Sequence, residues 1–177
     1  MQTSRDKDLE CLRHAITLAR QALKAGNLPI GTVITLNDKI IAEGQNSIWH
    51  PTYRLDRHAE IVALEAVPTE LWQRASNMTL YTTLEPCLMC LGAILLHRVG
   101  RVIFGSEDRH GGALCVCDHL PPAFKQRFRP DDWIGPALPQ ECDPLKKTVI
   151  AMALSHRKKG SSIWDKLIEA NEDPAQA

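Results

Sequence analysis

Two short stretches hold side chains whose types and spacing suit hydrolytic metal chemistry: His58-Ala59-Glu60 and Pro86-Cys87-Leu88-Met89-Cys90. Cysteines three apart at the start of a helix put both sulfurs on one face, within reach of a single ion. The positive end of that helix favours the thiolate form a metal needs. Pro86 suits the position just before it, because proline cannot extend the strand behind. With His58 as a third ligand, a zinc ion keeps its fourth tetrahedral position for water, the arrangement of a catalytic rather than a structural centre. Two thiolates largely cancel the charge of the ion, so a nearby base helps to ionise that water and to return its proton. Glu60, two residues past the histidine, is placed for this work. A lone Cys-x-x-Cys suits a redox pair or core packing as well as a metal, and a lone His-Ala-Glu carries no signal. Their joint order selects the metal. A structural zinc centre would need a fourth side-chain ligand, and no well-spaced candidate stands beside these three.

Such residues need a scaffold. Leu9, Leu12, Ile16, Ala19 and Leu23 recur at spacings of three and four, which predicts a helix from residue 4 to about 25, ended by Gly26-Asn27. Residues 32–36 and 39–43, joined by Asn37-Asp38, read as two strands about a tight turn. A loop follows from 46 to 57. A helix is expected from about 58 to 67, a strand at 78–83, a helix at 87–97 and a strand at 101–105. Helices alternating with short apolar strands predict a layered α/β domain. Between residues 106 and 143, Gly111-Gly112, Pro121-Pro122, Pro130, Pro136 and Pro139 argue against long regular elements. Pro144 suits the first turn of a helix running to about residue 159. An amphipathic segment with Ile163, Trp164, Leu167 and Ile168 then leads to a polar tail.

The chain has 177 residues, with 21 Lys+Arg against 21 Asp+Glu and a formal net charge of zero. That length fits one domain able to bury a core without disulfide staples. A hydrophobic fraction of 44% and a charged fraction of 24% exclude disorder as the main state. No apolar stretch approaches the roughly 20 residues of a membrane span, and residues 5–10 are too charged for a signal peptide. A cytoplasmic enzyme or binding domain is expected, without membrane contact. Balanced charge gives no sign of general affinity for nucleic acid. The six cysteines then point to metal rather than to disulfides.

The order His-x-Glu followed by Pro-Cys-x-x-Cys is that of zinc deaminases. Residues 28–112 resemble the cytidine/deoxycytidylate deaminase superfamily, and within it the tRNA-specific adenosine deaminase and guanine deaminase branch. The resemblance is carried by Leu28-Pro29-Ile30-Gly31, Gly44-Gln45-Asn46, His58-Ala59-Glu60-Ile61 and Leu80-Tyr81-Thr82-Thr83-Leu84-Glu85-Pro86-Cys87. Leu88-Met89-Cys90, Gly92-Ala93-Ile94 and Gly100-Arg101-Val102-Ile103-Phe104-Gly105 continue it. It implies a cytidine-deaminase-like three-layer α/β/α sandwich with a mixed five-stranded sheet and helices on both faces. The catalytic domain would span residues 1–160, with residues 161–177 as a C-terminal helix and tail. It further implies one Zn2+ on His58, Cys87 and Cys90, and Glu60 as proton shuttle to hydroxide on that zinc. The reaction would replace the exocyclic amino group of a nucleobase by a carbonyl and release ammonia. Among substrate-binding residues it places Asn46 on the target base, Asp108 on the nucleotide, and Glu85 shaping the backbone beside the bound water. A homodimer is implied as well, with the partner lining part of the pocket.

The chain departs from that branch in places. Net charge does not favour tRNA, so a free base or a nucleoside stands beside tRNA adenosine as substrate. Tyr53, Arg54, Leu55 and Arg57 give the loop before His58 an approach unlike that of the tRNA editors. A fifth strand is expected near residues 134–141, at an edge because of Pro136 and Pro139. Cys115, Cys117, His119 and Cys142 offer a second metal set with poor spacing. A non-catalytic partner subunit would keep the metal cage but often lose the carboxylate, which Glu60 argues against. A bare nucleic-acid-binding module would show a basic stripe or stacking aromatics, and aromatics are only 5% of this chain.

Overall fold

Strand alternation sorts the apolar residues into two rows, and each row feeds one helical layer. The computed structural model describes residues 3–155, from Thr3 to Ser155. Helix α1 (Ser4–Lys24) precedes β1 (Gly31–Leu36) and β2 (Lys39–Gln45). Then come α2 (Ala59–Glu65), a 3-10 stretch (Thr69–Asn77), β3 (Met78–Leu84), α3 (Leu88–His97) and β4 (Arg101–Ser106). The sheet order is β2-β1-β3-β4-β5, with β5 a two-residue strand, Trp133–Ile134. Strand β1 runs antiparallel to β2 and β3, while β3, β4 and β5 are parallel. This is the expected mixed five-stranded sheet.

Ile34, Leu80, Val102 and Trp133 lie in one register row. They pack beneath α2 and α3 with Ala63, Leu64 and Ile94. Val33, Tyr81 and Ile103 form the alternate row and meet Leu12, Ala15 and Ile16 of α1 on the other face. Burying each Leu, Ile or Val side chain is worth about 1.5–3 kcal/mol, so both layers are firmly attached. Thr3 and Asp6 form a capping box at the start of α1. At its other end Gly26 takes a φ of 81°, as expected for a helix stop. Asn37 and Asp38 both have positive φ, 52° and 62°, the backbone of the tight hairpin turn.

The C-terminal half differs from expectation in two places. Strand β5, Trp133–Ile134, starts one residue before the predicted span and covers only its first residue, pairing with Val102 and Ile103 at the sheet edge. Beyond it the chain still follows β4, with Ala137 N–H on Phe104 O at 2.9 Å and Leu138 N–H on Gly105 O at 3.1 Å. Pro136 and Pro139 lack the donors a longer regular strand would need. The last described helix, α5 (Pro139–Ser155), therefore begins at Pro139, and Pro144 lies inside it rather than in its first turn. Between Ser106 and Trp133 the helices are only short turns, including α4 (Pro122–Lys125) and 3-10 segments at Leu114–His119 and Pro130–Asp132. The expected C-terminal amphipathic segment, residues 161–177, lies outside the described residues. No helix among those described is long and apolar enough to cross a membrane.

Candidate active site

The carboxyl ends of β3 and β4 and the amino ends of α2 and α3 converge on one place. His58 is the N-cap of α2 and Cys87 the N-cap of α3, both in extended backbone conformation. Helix α2 can lie directly on β2 because Gly44 has no side chain. A Cβ there would stand 2.2 Å from Ala59 O and 2.4 Å from Ala63 N. The loop leading to His58 is pinned at several points. Asn27, itself buried, accepts the N–H groups of Trp49 (2.9 Å) and His50 (3.0 Å) on its Oδ1. Ser47 N–H donates to Arg57 O at 3.0 Å, and Arg57 pairs with Glu65 at 2.7 Å.

These supports bring three ligand atoms together. His58 Nδ1 lies 3.5 Å from Cys87 Sγ and 3.6 Å from Cys90 Sγ, and the two sulfurs are 3.6 Å apart. A tetrahedral zinc ion with Zn–S of about 2.3 Å and Zn–N of about 2.0–2.1 Å demands an S···S edge of about 3.8 Å and S···N edges of about 3.6 Å. The triangle fits zinc as it stands. Among the described residues it is the only cluster of three His, Cys, Asp or Glu side chains with ligand atoms close enough for one ion.

Even without metal one of the two sulfurs, that of Cys87, favours charge. Hydrogen bonds from Cys90 and then His58 overcome burial and push the Cys87 thiol down to about 4. Cys90, donating to that thiolate and buried, is held well above the ordinary thiol range. The hydrogen bond to the same thiolate raises His58. Glu60 is 4% exposed, and burial, aided by the neighbouring Cys87 charge, raises its carboxyl. Thr82 Oγ1 donates to Glu60 Oε1 at 3.4 Å.

The remaining expected residues are each placed by their own hydrogen bonds. Asn46 follows β2, donates its N–H to Ile30 O at 3.0 Å and is fully buried. Its Oδ1 accepts from Ile48 N–H at 3.4 Å, while among the described residues its Nδ2 has no partner. A buried amide donor left open is what a base-binding residue would offer. Ile30, Ala59 and Leu84 share one apolar cluster, which ties the neighbours of Asn46, Glu60 and Glu85 together. Asp108 forms a side-chain turn, its Oδ1 accepting from His110 and Gly111 N–H, each at 3.1 Å. Both oxygens of Glu85 take backbone donors, Asp108 N–H at 3.0 Å and Leu114 N–H at 3.1 Å.

The second metal set is not assembled. Cys142 is buried against Gly105 in the α1 layer, Cys117 lies in the cluster under α3, and Cys115 is exposed. Thr82 was not singled out from sequence, though strand alternation puts it on the same face as Leu80, toward α2. Gly44 was noted only as part of a motif, and its close approach to α2 required the structure.

The family model for the cytidine and deoxycytidylate deaminase zinc-binding region matches residues 5–106. The tRNA-specific adenosine deaminase of Bacillus subtilis (strain 168) is 41% identical over 134 residues, covering 74% of this chain and 81% of the relative. That of Haemophilus influenzae is 36% identical over 156 residues, covering 85% and 87%. A tRNA:A34 deaminase solved in a study of A-to-I editing at the wobble position superposes with a TM-score of 0.58 at 30% identity, covering 65% of this chain and 91% of that one.

Proposed function

Because this chain belongs to the cytidine and deoxycytidylate deaminase family, as a zinc-dependent hydrolytic deaminase, we propose that its substrate is adenosine held within a tRNA. The chemistry rests on one observation, the His58–Cys87–Cys90 triangle of zinc dimensions beside the buried Glu60 carboxylate. The substrate rests on relatives named for that activity over most of their length.

His58, Cys87 and Cys90 would hold one zinc ion, and the two helix N-termini behind His58 and Cys87 hold their side chains in place. Zinc bound there supplies a Lewis acid that makes water a nucleophile near neutral pH. Glu60 takes the proton from the attacking water and gives it to a ring nitrogen of the base. The water oxygen bonds to the carbon that bears the amino group; Glu60 then moves the remaining proton of that hydroxyl to the exocyclic nitrogen, the C–N bond breaks, ammonia leaves and the carbon keeps a carbonyl. Thr82 keeps one Glu60 oxygen fixed, so the other is directed to the reaction. Asn46 offers Nδ2 to an acceptor on the base edge and so orients the ring. Asp108 contacts the nucleotide, and Glu85 acts on the backbone between them.

Residues 1–160 act as one catalytic domain. A homodimer belongs to the same reading, because Leu88, Met89 and Leu96 leave an apolar stripe on α3 at 61%, 41% and 57% exposure. A cytoplasmic location does too, since the six unpaired cysteines suit a reducing compartment.

Balanced charge supports the competing substrate, a free base or nucleoside. Ammonia release from the zinc-loaded protein, with adenosine-containing anticodon stem-loops, adenosine, guanine and cytosine compared, separates the two. The expected result is activity on the stem-loop alone, declining with salt. Activity on a free base, indifferent to salt, would replace the tRNA reading. No release from any of them would end the enzyme reading.

A further inference from the structure

The loop that carries Asp108 is tied near both ends to one buried carboxylate, and its far end, Ala113 and Leu114, packs in the cluster of Leu91 and Leu95. Glu107, Arg109, His110 and Gly111 are exposed. Asp108 and Arg109 of the loop line a pocket of about 330 Å³ together with Phe104, Leu114, Cys115 and Pro136. The carboxylate is that of Glu85, 7% exposed. This residue leaves β3 with its own N–H on Ser106 O at 2.8 Å. Its Oε2 accepts Asp108 N–H and its Oε1 accepts Leu114 N–H, at the two ends of the loop. The approach is possible only over a glycine. A Cβ on Gly112 would stand 2.4 Å from the Glu85 carboxyl carbon and from Oε1. Gly112 also pairs with Cys87 in an isolated antiparallel bridge, and Ala113 N–H donates to Pro86 O at 3.0 Å.

We propose that Glu85 is a positioning residue for substrate: its carboxylate clamps residues 108–114 onto the segment that bears Cys87, and thereby sets where Asp108 meets the nucleotide. The proposal rests on the deaminase reading above for its substrate, but the clamp itself does not. Glu85 accepts hydrogen bonds and moves no proton. Its loss therefore loosens the loop and weakens substrate binding, while the metal triangle and Glu60, held by α2, α3 and β3, stay in place.

Two variants probe the same contact from opposite sides. Glu85→Gln keeps the shape but faces one backbone N–H with an amide donor in place of an acceptor. Gly112→Ala leaves Glu85 intact and sets a methyl group 2.4 Å from its carboxylate and from Asp108 O, so it strains the loop at both. For each, hydrogen exchange at the Asp108 and Leu114 amides, zinc content, and kcat and KM on the stem-loop are measured. The expected result is exchange at those two amides faster by about tenfold, the loss of roughly one charged hydrogen bond, with β3 and β4 unchanged. Zinc remains at one per chain, KM rises by about tenfold, and kcat falls by less than about threefold. Unchanged exchange and unchanged KM in both variants would overturn the proposal. So would joint loss of zinc and of cooperative unfolding, which would make the contact part of the fold. If the wild-type protein deaminates none of the substrates, the function reading fails, and the exchange measurement still decides the clamp.

Discussion

His58 and Cys87, 29 residues apart in the chain, are each the last non-helical residue before a helix, and their side chains meet at 3.5 Å. Neither spends its side chain on capping its own helix. Both are thus free for a shared ion, and a third ligand one turn along α3, Cys90, closes the triangle. The two apolar layers lie on either side of the sheet and do not depend on that ion.

Removal of the metal should therefore stop the reaction without dissolving the fold. Chelation is expected to leave far-ultraviolet circular dichroism unchanged, abolish ammonia release, and lower the melting temperature. One equivalent of zinc per chain should restore both lost properties. Collapse of the secondary structure on chelation would contradict independent apolar layers.

Glu60→Gln keeps volume and burial but can neither accept nor return a proton. Turnover should fall by about 10²–10⁴-fold, with zinc still at one per chain and substrate binding nearly unchanged. Steady-state kinetics with metal analysis decides this. A fall of only a few fold would remove Glu60 from proton transfer.

Gly44→Ala tests the seating of α2. Its Cβ would stand 2.2 Å from Ala59 O, and backbone cannot yield cheaply, so overpacking should cost about 1–3 kcal/mol. Denaturant unfolding measures that loss. Zinc affinity should weaken with it, because α2 carries His58 at its start.

Sequence showed the reactive set more fully than its supports. His58, Glu60, Cys87 and Cys90 were legible because metal ligation ties residue type to spacing, and strand alternation with helical periodicity outlined both layers. The start of α5 was misplaced because Pro139 and Pro144 both suit a first turn, and only the contact of residues 137–138 with β4 selects Pro139. Strand β5 is shorter than expected and starts one residue earlier, because two residues at an edge carry no periodicity. Glu85 resembled a site residue in the motif, but its task is set by backbone amides 23 and 29 positions away.

Asp143 ties α5 to the end of β4. The hydrogen bond from Ser106, then Lys146, holds its carboxyl below the usual range. A lowered folded value means its contribution is present above the ordinary carboxylate value and is lost as pH falls through the folded one. The melting temperature of the wild type should exceed that of Asp143→Asn by a constant margin from about pH 5 to 8, and the margin should close as pH falls below the ordinary carboxylate value. A margin independent of pH would show that ionisation of Asp143 plays no part.

X-ray absorption at the zinc edge of the loaded protein tests the catalytic centre most directly. The predicted shell is two sulfurs at about 2.3 Å, one imidazole nitrogen at about 2.0–2.1 Å and one light atom from solvent. Cys87→Ser should remove one sulfur. A third sulfur or a second imidazole in the wild-type shell would mean a closed structural centre, and the hydrolytic assignment would fall.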